Sequence, residues 1–296
     1  MKRTASYLLF LIALLSAMVS CVPQQKAASS KKELGKLDSQ LVNHSKDLQK
    51  LEIVRKEKEE QNGIDSIASA RIKNFIDKTD KEIDSLIKDN TILINGVVVE
   101  KSDWDRLRKV LSTTRTAEQR INQKISFLQD LLNRNMVVKL DQDVVFQPGS
   151  YNVSPDMVKN MTGLFEPAAA EIDRFSTKYP DFPLSLVITF KGYADGTTIG
   201  EGSSLYKSLR ERLSMSIKEP DARELNKELS RARAEAVFNL FKQFAATKSQ
   251  NGIYIKNVLY MYEGKGESLP DPKLTDYKLD DPRRRVVLLF WSIFPD

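Results

Sequence analysis

The sequence predicts an α/β head domain, about residue 136 to 296, preceded by an α-helical spacer over 33–135. Three observations carry this reading. Strand-like and helix-like segments alternate after Asn135, which is the signature of a layered α/β structure. Between Leu34 and Leu132 apolar residues recur at helical spacing in a segment rich in Lys, Glu, Asp, Gln, Leu and Ile. No proline occurs between residues 24 and 147, so no proline in that span breaks a helix.

At the N-terminus Lys2 and Arg3 precede an apolar run from Tyr7 to Val19, followed by Ser20 and Cys21. The run is shorter than the roughly 20 apolar residues a membrane span needs. A cationic start, a short apolar stretch and small residues at its end are the pattern of a secretory signal, expected over residues 1–20. Cys21 is the single cysteine of the chain, so it has no internal disulfide partner. An unpaired thiol in an exported chain calls for another use. Residues 21–32, with Pro23, Gln24, Gln25, Ala27, Ala28, Ser29 and Ser30, are small and polar and are expected to form a flexible leader.

The spacer opens with Leu34, Leu37, Leu41, His44, Leu48 and Leu51, spaced alternately by three and four, the heptad seam of a coiled coil. Asn62-Gly63 breaks the seam, and it resumes in a new phase through Ile64, Ile67, Ile72, Phe75, Ile76, Ile83, Leu86 and Ile87. A third stretch runs through Trp104, Leu107, Leu111, Thr114, Ile121, Ile125, Leu128 and Leu132, with Ser102 as its expected N-cap. Between the second and third stretches, Asn95-Gly96 lies between two β-branched runs, which predicts a hairpin at 91–99. A helix of about 30 residues is roughly 45 Å long, so the segment reads as a rod; short connections also permit a bundle folded back on itself. His44 is the single histidine and sits on the apolar seam, where it reads as a packing residue rather than a metal ligand.

In the head, Met136–Leu140 and Val144–Phe146 are strand-like, and Gln147–Ser150 is a turn. A helix is expected from about Pro155 to Tyr179. Leu184–Phe190 follows as a strand with Leu184, Leu186, Ile188 and Phe190 on one face. An amphipathic helix is expected over 221–246, and strands over 255–262 and 285–293. Asp195 falls just past the C-terminal end of a strand, the end where α/β sheets bind ligands. It also suits a turn before Gly196. Arg233 lies four residues from Leu229 and four from Val237, on the apolar stripe, where a guanidinium needs a partner. That partner is either a ligand carboxylate or an internal acid such as Glu267. Arg284 and Arg285 read as supports of the fold.

Two resemblances add to this. Met18-Val19-Ser20-Cys21 resembles a lipobox, with Met in place of the usual Leu. It implies cleavage before Cys21 and acylation of its thiol. Each buried methylene stabilises an anchor by about 0.8 kcal/mol. Val22 stands where aspartate would favour inner-membrane retention, so the resemblance points to the outer membrane, facing the periplasm.

The second resemblance rests on five elements in order: Phe146-Gln147-Pro148-Gly149-Ser150; Gly192-Tyr193-Ala194-Asp195; Asn226-Lys227-Glu228-Leu229-Ser230-Arg231-Ala232-Arg233-Ala234; Gly264-Lys265-Gly266-Glu267; and Arg284-Arg285-Val286. Together they resemble the OmpA-like C-terminal domain, the peptidoglycan-associating family that peptidoglycan-associated lipoproteins share. The resemblance implies an α+β sandwich of βαβαββ order that binds the cell wall without catalysis. It implies that Asp195 takes the ammonium and Arg233 the carboxylate of diaminopimelate in the stem peptide, with Asn226 beside them. Tyr193 and Ala194 stand where the family has His and Thr. The stretch from Gly196 to Pro220, with Glu201, Arg210, Glu211, Arg212 and Lys218, is longer than the family's loop. It reads as a lid, a second ligand contact, a partner site or a block. Leu269 to Pro282 is a second long polar loop.

The expected partners are the peptidoglycan stem peptide, a bilayer through Cys21, and a second copy through the seam leucines. No cofactor or metal is expected. The formal charge of +6 is modest and its acids and bases are interspersed, which argues against nucleic acid. No nucleophile elbow, metal-spaced His/Cys set or phosphate loop occurs, which argues against an enzyme. The apolar run near the N-terminus carries no acid, unlike the spanning helix of a flagellar stator subunit. A structural subunit of an envelope complex, using the same head and helices for protein contacts, is the alternative.

Overall fold

The computed structural model describes residues 24–98, 100–134, 136–141, 146, 150–180, 182, 184–214, 216–217, 219–249 and 257–295. The signal segment, Cys21 and the residues up to 23 lie outside the described residues. The described residues form a mixed α and β structure with six α-helices and one four-stranded mixed sheet. The chain divides into two compact units, one of residues through Ile53 with Asn74–Asp130, the other of Val54–Lys73 with Leu131–Asp296.

The larger parts of three helices build the first unit: α1 (Gln24–Glu60), α2 (Ser66–Asn95) and α3 (Lys101–Asn133). Asn90 donates to Asp38 at 2.6 Å and Ser45 to Asp80 at 2.6 Å, so α1 and α2 run antiparallel. Thr114 donates to Asn90 at 2.9 Å and Lys124 to Glu82 at 2.5 Å, so α3 reverses direction again. The three helices therefore lie against one another, the folded-back arrangement. The seam leucines 34, 37, 41, 48 and 51 are buried, as are Ile76, Ile83, Leu107, Ile121, Ile125 and Leu128. Each such side chain contributes about 1.5–3 kcal/mol by leaving water. His44 is half-buried and meets Glu118 at 3.0 Å.

Three expectations are corrected here. The leader is helical from Gln24, because Ala27 is buried and helix α1 starts that early. Among the described residues of 91–99 no hairpin forms: residues 91–95 complete α2, and Gly96 N donates to Ile92 O at 3.0 Å as a further helical turn. Leu93 and Ile94 pack on Leu34, Leu37 and Leu107, and that burial outweighs the strand preference of β-branched residues. An isolated hairpin would have no such face. Helix α3 begins at Lys101, so Ser102 is not its cap; Glu100 N instead donates to Asp103 at 3.1 Å.

The second unit takes in residues 54–73, which the sequence assigned to the spacer. Asn62-Gly63 turns the chain with Asn62 in the left-handed region at φ 53°. Asp65 then caps α2, accepting from Ile67 N and Ala68 N at 2.7 Å each. Lys58 donates to Arg134 O at 2.8 Å and Asn62 to Pro270 O at 2.8 Å.

The sheet consists of β1 (Val137–Asp141), β2 (Leu184–Gly192), β3 (Asn257–Gly264) and β4 (Val286–Pro295), in the order β1-β4-β2-β3. β2 pairs parallel with β3 and antiparallel with β4, and β1 pairs antiparallel with β4. Helix α4 (Pro155–Lys178) joins β1 to β2; α5 (Ser204–Leu213) and α6 (Ala222–Ser249) join β2 to β3. The βαβαββ order is therefore present with one helix added. Of the expected strand Val144–Phe146, residues 144–145 lie outside the described residues, and Phe146 pairs with Val153 as an isolated bridge. Phe190 on β2 meets Phe238 and Phe241 of α6, and Phe165 of α4 meets Phe241 edge-on at 5.0 Å. This aromatic layer binds both long helices to one face of the sheet.

Candidate functional site

The ends of β2 and β3 set the site. Gly192 and Gly264 are register partners, and α6 passes directly over both. A Cβ at Gly192 would stand 1.9 Å from Ser230 O, and one at Gly264 would stand 2.4 Å from Lys227 O. Only glycine allows that approach. Ser230, fully buried, donates to Lys227 O and accepts from Gly266 N at 2.9 Å, tying the loop after β3 to the same helix turn. Ala194 N donates to Gly266 O at 2.7 Å, which brings in the loop after β2. Three of the sequence elements singled out above thus meet around one turn of α6.

Asp195, Asn226 and Arg233 all line one cavity of about 450 Å³ beside that turn. The size is ordinary for a small-ligand pocket. All three are buried. Asp195 Oδ1 accepts from Thr197 N at 3.1 Å and from the Thr197 hydroxyl at 2.6 Å, so the aspartate also makes the turn that its position suggested. Arg233 Nε donates to Ser150 O at 3.2 Å, and its guanidinium lies 5.5 Å from the Phe146 ring centre. Ser150 and Phe146 thereby orient the arginine. Asn226 donates to Thr197 O at 3.1 Å and to Glu267 at 3.0 Å. Both amide hydrogens are engaged, so Asn226 positions the loop after β2 and Glu267, the acid of the fourth element.

Arg285, read from the sequence as a support of the fold, also reaches the cavity. Its Nη1 lies 3.5 Å from Asp195 Oδ2. Arg284, its neighbour, does support the fold: it is buried and donates to the carbonyls of Lys278, Leu279 and Glu267. Arg284 ends a 3-10 turn over Pro282–Arg284 and Arg285 follows it, directly before β4, so the strand alternation expected for the pair does not apply to them.

Tyr193 faces away from the cavity. It packs with Val286, Leu288 and Phe290, and burial, with Glu263 nearby, pushes its hydroxyl up to about 12.

The stretch 196–220 is not a featureless loop. Ser203 caps α5 by accepting from Tyr206 N at 3.0 Å, and Leu209 and Leu213 pack on Leu225 and Leu229 of α6. Arg212 donates to Glu228 and to Glu235 at 2.7 Å each. Burial works against the Arg212 charge, but Glu235 and Glu228 outweigh it and hold the guanidinium above its ordinary range. Residues Thr197–Gly200 and Ser203–Leu205 form one wall of the cavity, so this stretch shapes the site and leaves a cavity there.

Among the described residues no helix is long and apolar enough to cross a membrane, and no group of three His, Cys, Asp or Glu side chains could hold a metal ion. Comparison with models of known protein families gives no match, and comparison with curated proteins gives none.

Proposed function

We propose that this chain is an outer-membrane lipoprotein that grips peptidoglycan without covalent attachment, through an OmpA-like domain carried on helices of coiled-coil type. The observation that carries the reading is convergence. Asp195 from the loop after β2 and Asn226 and Arg233 from α6, matched by motif order, line one cavity. Opposite charges on its wall suit a zwitterion, the end group of diaminopimelate in a stem peptide. Asp195 receives the ammonium. Arg233, held by Ser150 and Phe146, meets the carboxylate with the planar fork that arginine provides. Hydrogen bonds to charged groups contribute about 1.5–3 kcal/mol each, so either residue alone accounts for at least tenfold in affinity. The acylated Cys21 supplies the membrane end of the tether.

Co-sedimentation of the full chain with purified sacculi tests this. The wild-type chain is expected in the pellet, and Asp195→Ala and Arg233→Ala in the supernatant. Equal sedimentation of all three would overturn the reading.

A further inference from the structure

The cavity that holds Asp195, Asn226 and Arg233 is not polar throughout. Ile199, Leu205 and Leu229 share its lining. Leu229 is buried in a cluster with Leu209, Leu213 and Leu225, and Ile199 and Leu205 pack against that cluster while staying only half-buried. Each of these two side chains therefore has the core behind it and the cavity in front. The cavity is open to solvent, since Thr198 and Ser204 in its lining are exposed. Aliphatic surface there is favourable to cover, and a ligand that covers it gains affinity.

The apolar wall adjoins the charged groups. Leu229 lies four residues before Arg233 on α6, and side chains four apart on a helix are neighbours, about 5–6 Å between Cβ atoms. Ile199 lies two residues after Thr197, whose amide and hydroxyl both donate to Asp195. Whatever is attached to a zwitterionic centre held by Asp195 and Arg233 thus has aliphatic side chains beside it. Small-ligand sites commonly join a few placed polar groups, which fix orientation, to an apolar lining that supplies buried area.

We propose that Ile199, Leu205 and Leu229 form a subsite for an aliphatic spacer attached to the zwitterionic centre, so that the site reads the methylene chain of its ligand as well as the charged end. This rests on the wall-peptide reading and narrows it. Diaminopimelate carries three methylenes between its two α-carbons, and that chain is the first part of the ligand to leave the bound centre. Ile199 and Leu205 come from the long stretch 196–220, which makes that stretch a specificity element of the site.

Two probes of equal length and charge separate the spacer from the charged end: the tripeptide L-alanyl-γ-D-glutamyl-meso-diaminopimelate, and the same tripeptide with the central methylene of the diaminopimelate spacer replaced by an ether oxygen. Calorimetric titration of the full chain with each gives the answer. The ether is expected to bind wild type about tenfold more weakly, because a buried methylene is lost and an oxygen is desolvated against aliphatic side chains. In Ile199→Ser and in Leu205→Ser the preference is expected to shrink, with circular dichroism unchanged, and in Leu205→Met it is expected to persist. Equal affinity of wild type for the two peptides would overturn the proposal and leave the wall-peptide reading standing, as would an undiminished preference in both serine variants. Failure of wild type to bind either peptide would overturn both.

Discussion

Asp195 and Arg285, ninety residues apart in the chain, face each other across the mouth of one cavity with Nη1 and Oδ2 3.5 Å apart. The contact exists because β2 and β4 are antiparallel neighbours, so the loop leaving β2 and the residue entering β4 arrive at the same end of the sheet. Removing the arginine leaves a buried carboxylate held by Thr197.

The close passage of α6 over the sheet makes Gly192 the most sensitive backbone position near the site. Gly192→Ala puts a methyl where Ser230 O stands, and the helix must lift. Overpacking of this kind costs about 1–3 kcal/mol, and backbone in the way sets the upper end. Urea unfolding is expected to lose about 3 kcal/mol, whereas Gly202→Ala, which meets nothing, is expected to change little.

The docking of α5 should depend on acid. Burial pushes the Glu235 carboxyl up, but Arg212, Tyr262 and Arg231 outweigh it and hold the carboxyl below its ordinary value. A depressed folded pKa means stability that is present above the unfolded carboxylate range and lost as pH falls through the folded value. Limited proteolysis at α5 is therefore expected to accelerate below about pH 4. Arg212→Ala should give the accelerated rate already at neutral pH; protection that is unchanged by the substitution would remove Arg212 as the staple.

Within the helical unit, burial raises the Asp38 carboxyl above its ordinary value, and the hydrogen bond from Asn90 offsets this in part. The raised value means a contribution to stability that is present at low pH and lost as pH rises through the folded pKa. Asp38→Asn keeps an acceptor for Asn90 without the charge. Thermal unfolding at pH 7 is expected to show a gain for the variant, and that gain should shrink as the pH falls into the ordinary carboxylate range.

The lipid anchor has its own test. Cys21→Ser is expected to move the chain from the membrane fraction to the soluble fraction while the circular dichroism of the rest is unchanged. Retention in membranes by the variant would remove Cys21 as the anchor.

The element order of the head was legible because its strands and helices differ in period: Leu184, Leu186, Ile188 and Phe190 alternate, while Leu229, Val237, Leu240 and Phe244 repeat as on a helix. Asp195, Asn226 and Arg233 were legible because motif order preserves what spatial convergence requires. What was missed depends on tertiary contacts. The Asn95-Gly96 hairpin lost to the burial of Leu93 and Ile94, a packing effect absent from local sequence. Residues 54–73 join the second unit through contacts such as Lys58 Nζ donating to Arg134 O, which no periodicity encodes. Helix α5 did leave a trace, with Ser203 followed by Leu205, Leu209 and Leu213 four apart, but charges in the same stretch masked it.

The most direct measurement is calorimetric titration of the full chain with a soluble diaminopimelate-containing muropeptide, run beside Asp195→Ala and Arg233→Ala. Saturable binding by the wild-type chain, lost in both variants with their circular dichroism intact, is the result expected of a wall-gripping site. Absence of binding by the folded wild-type chain, or undiminished binding by either variant, would contradict it.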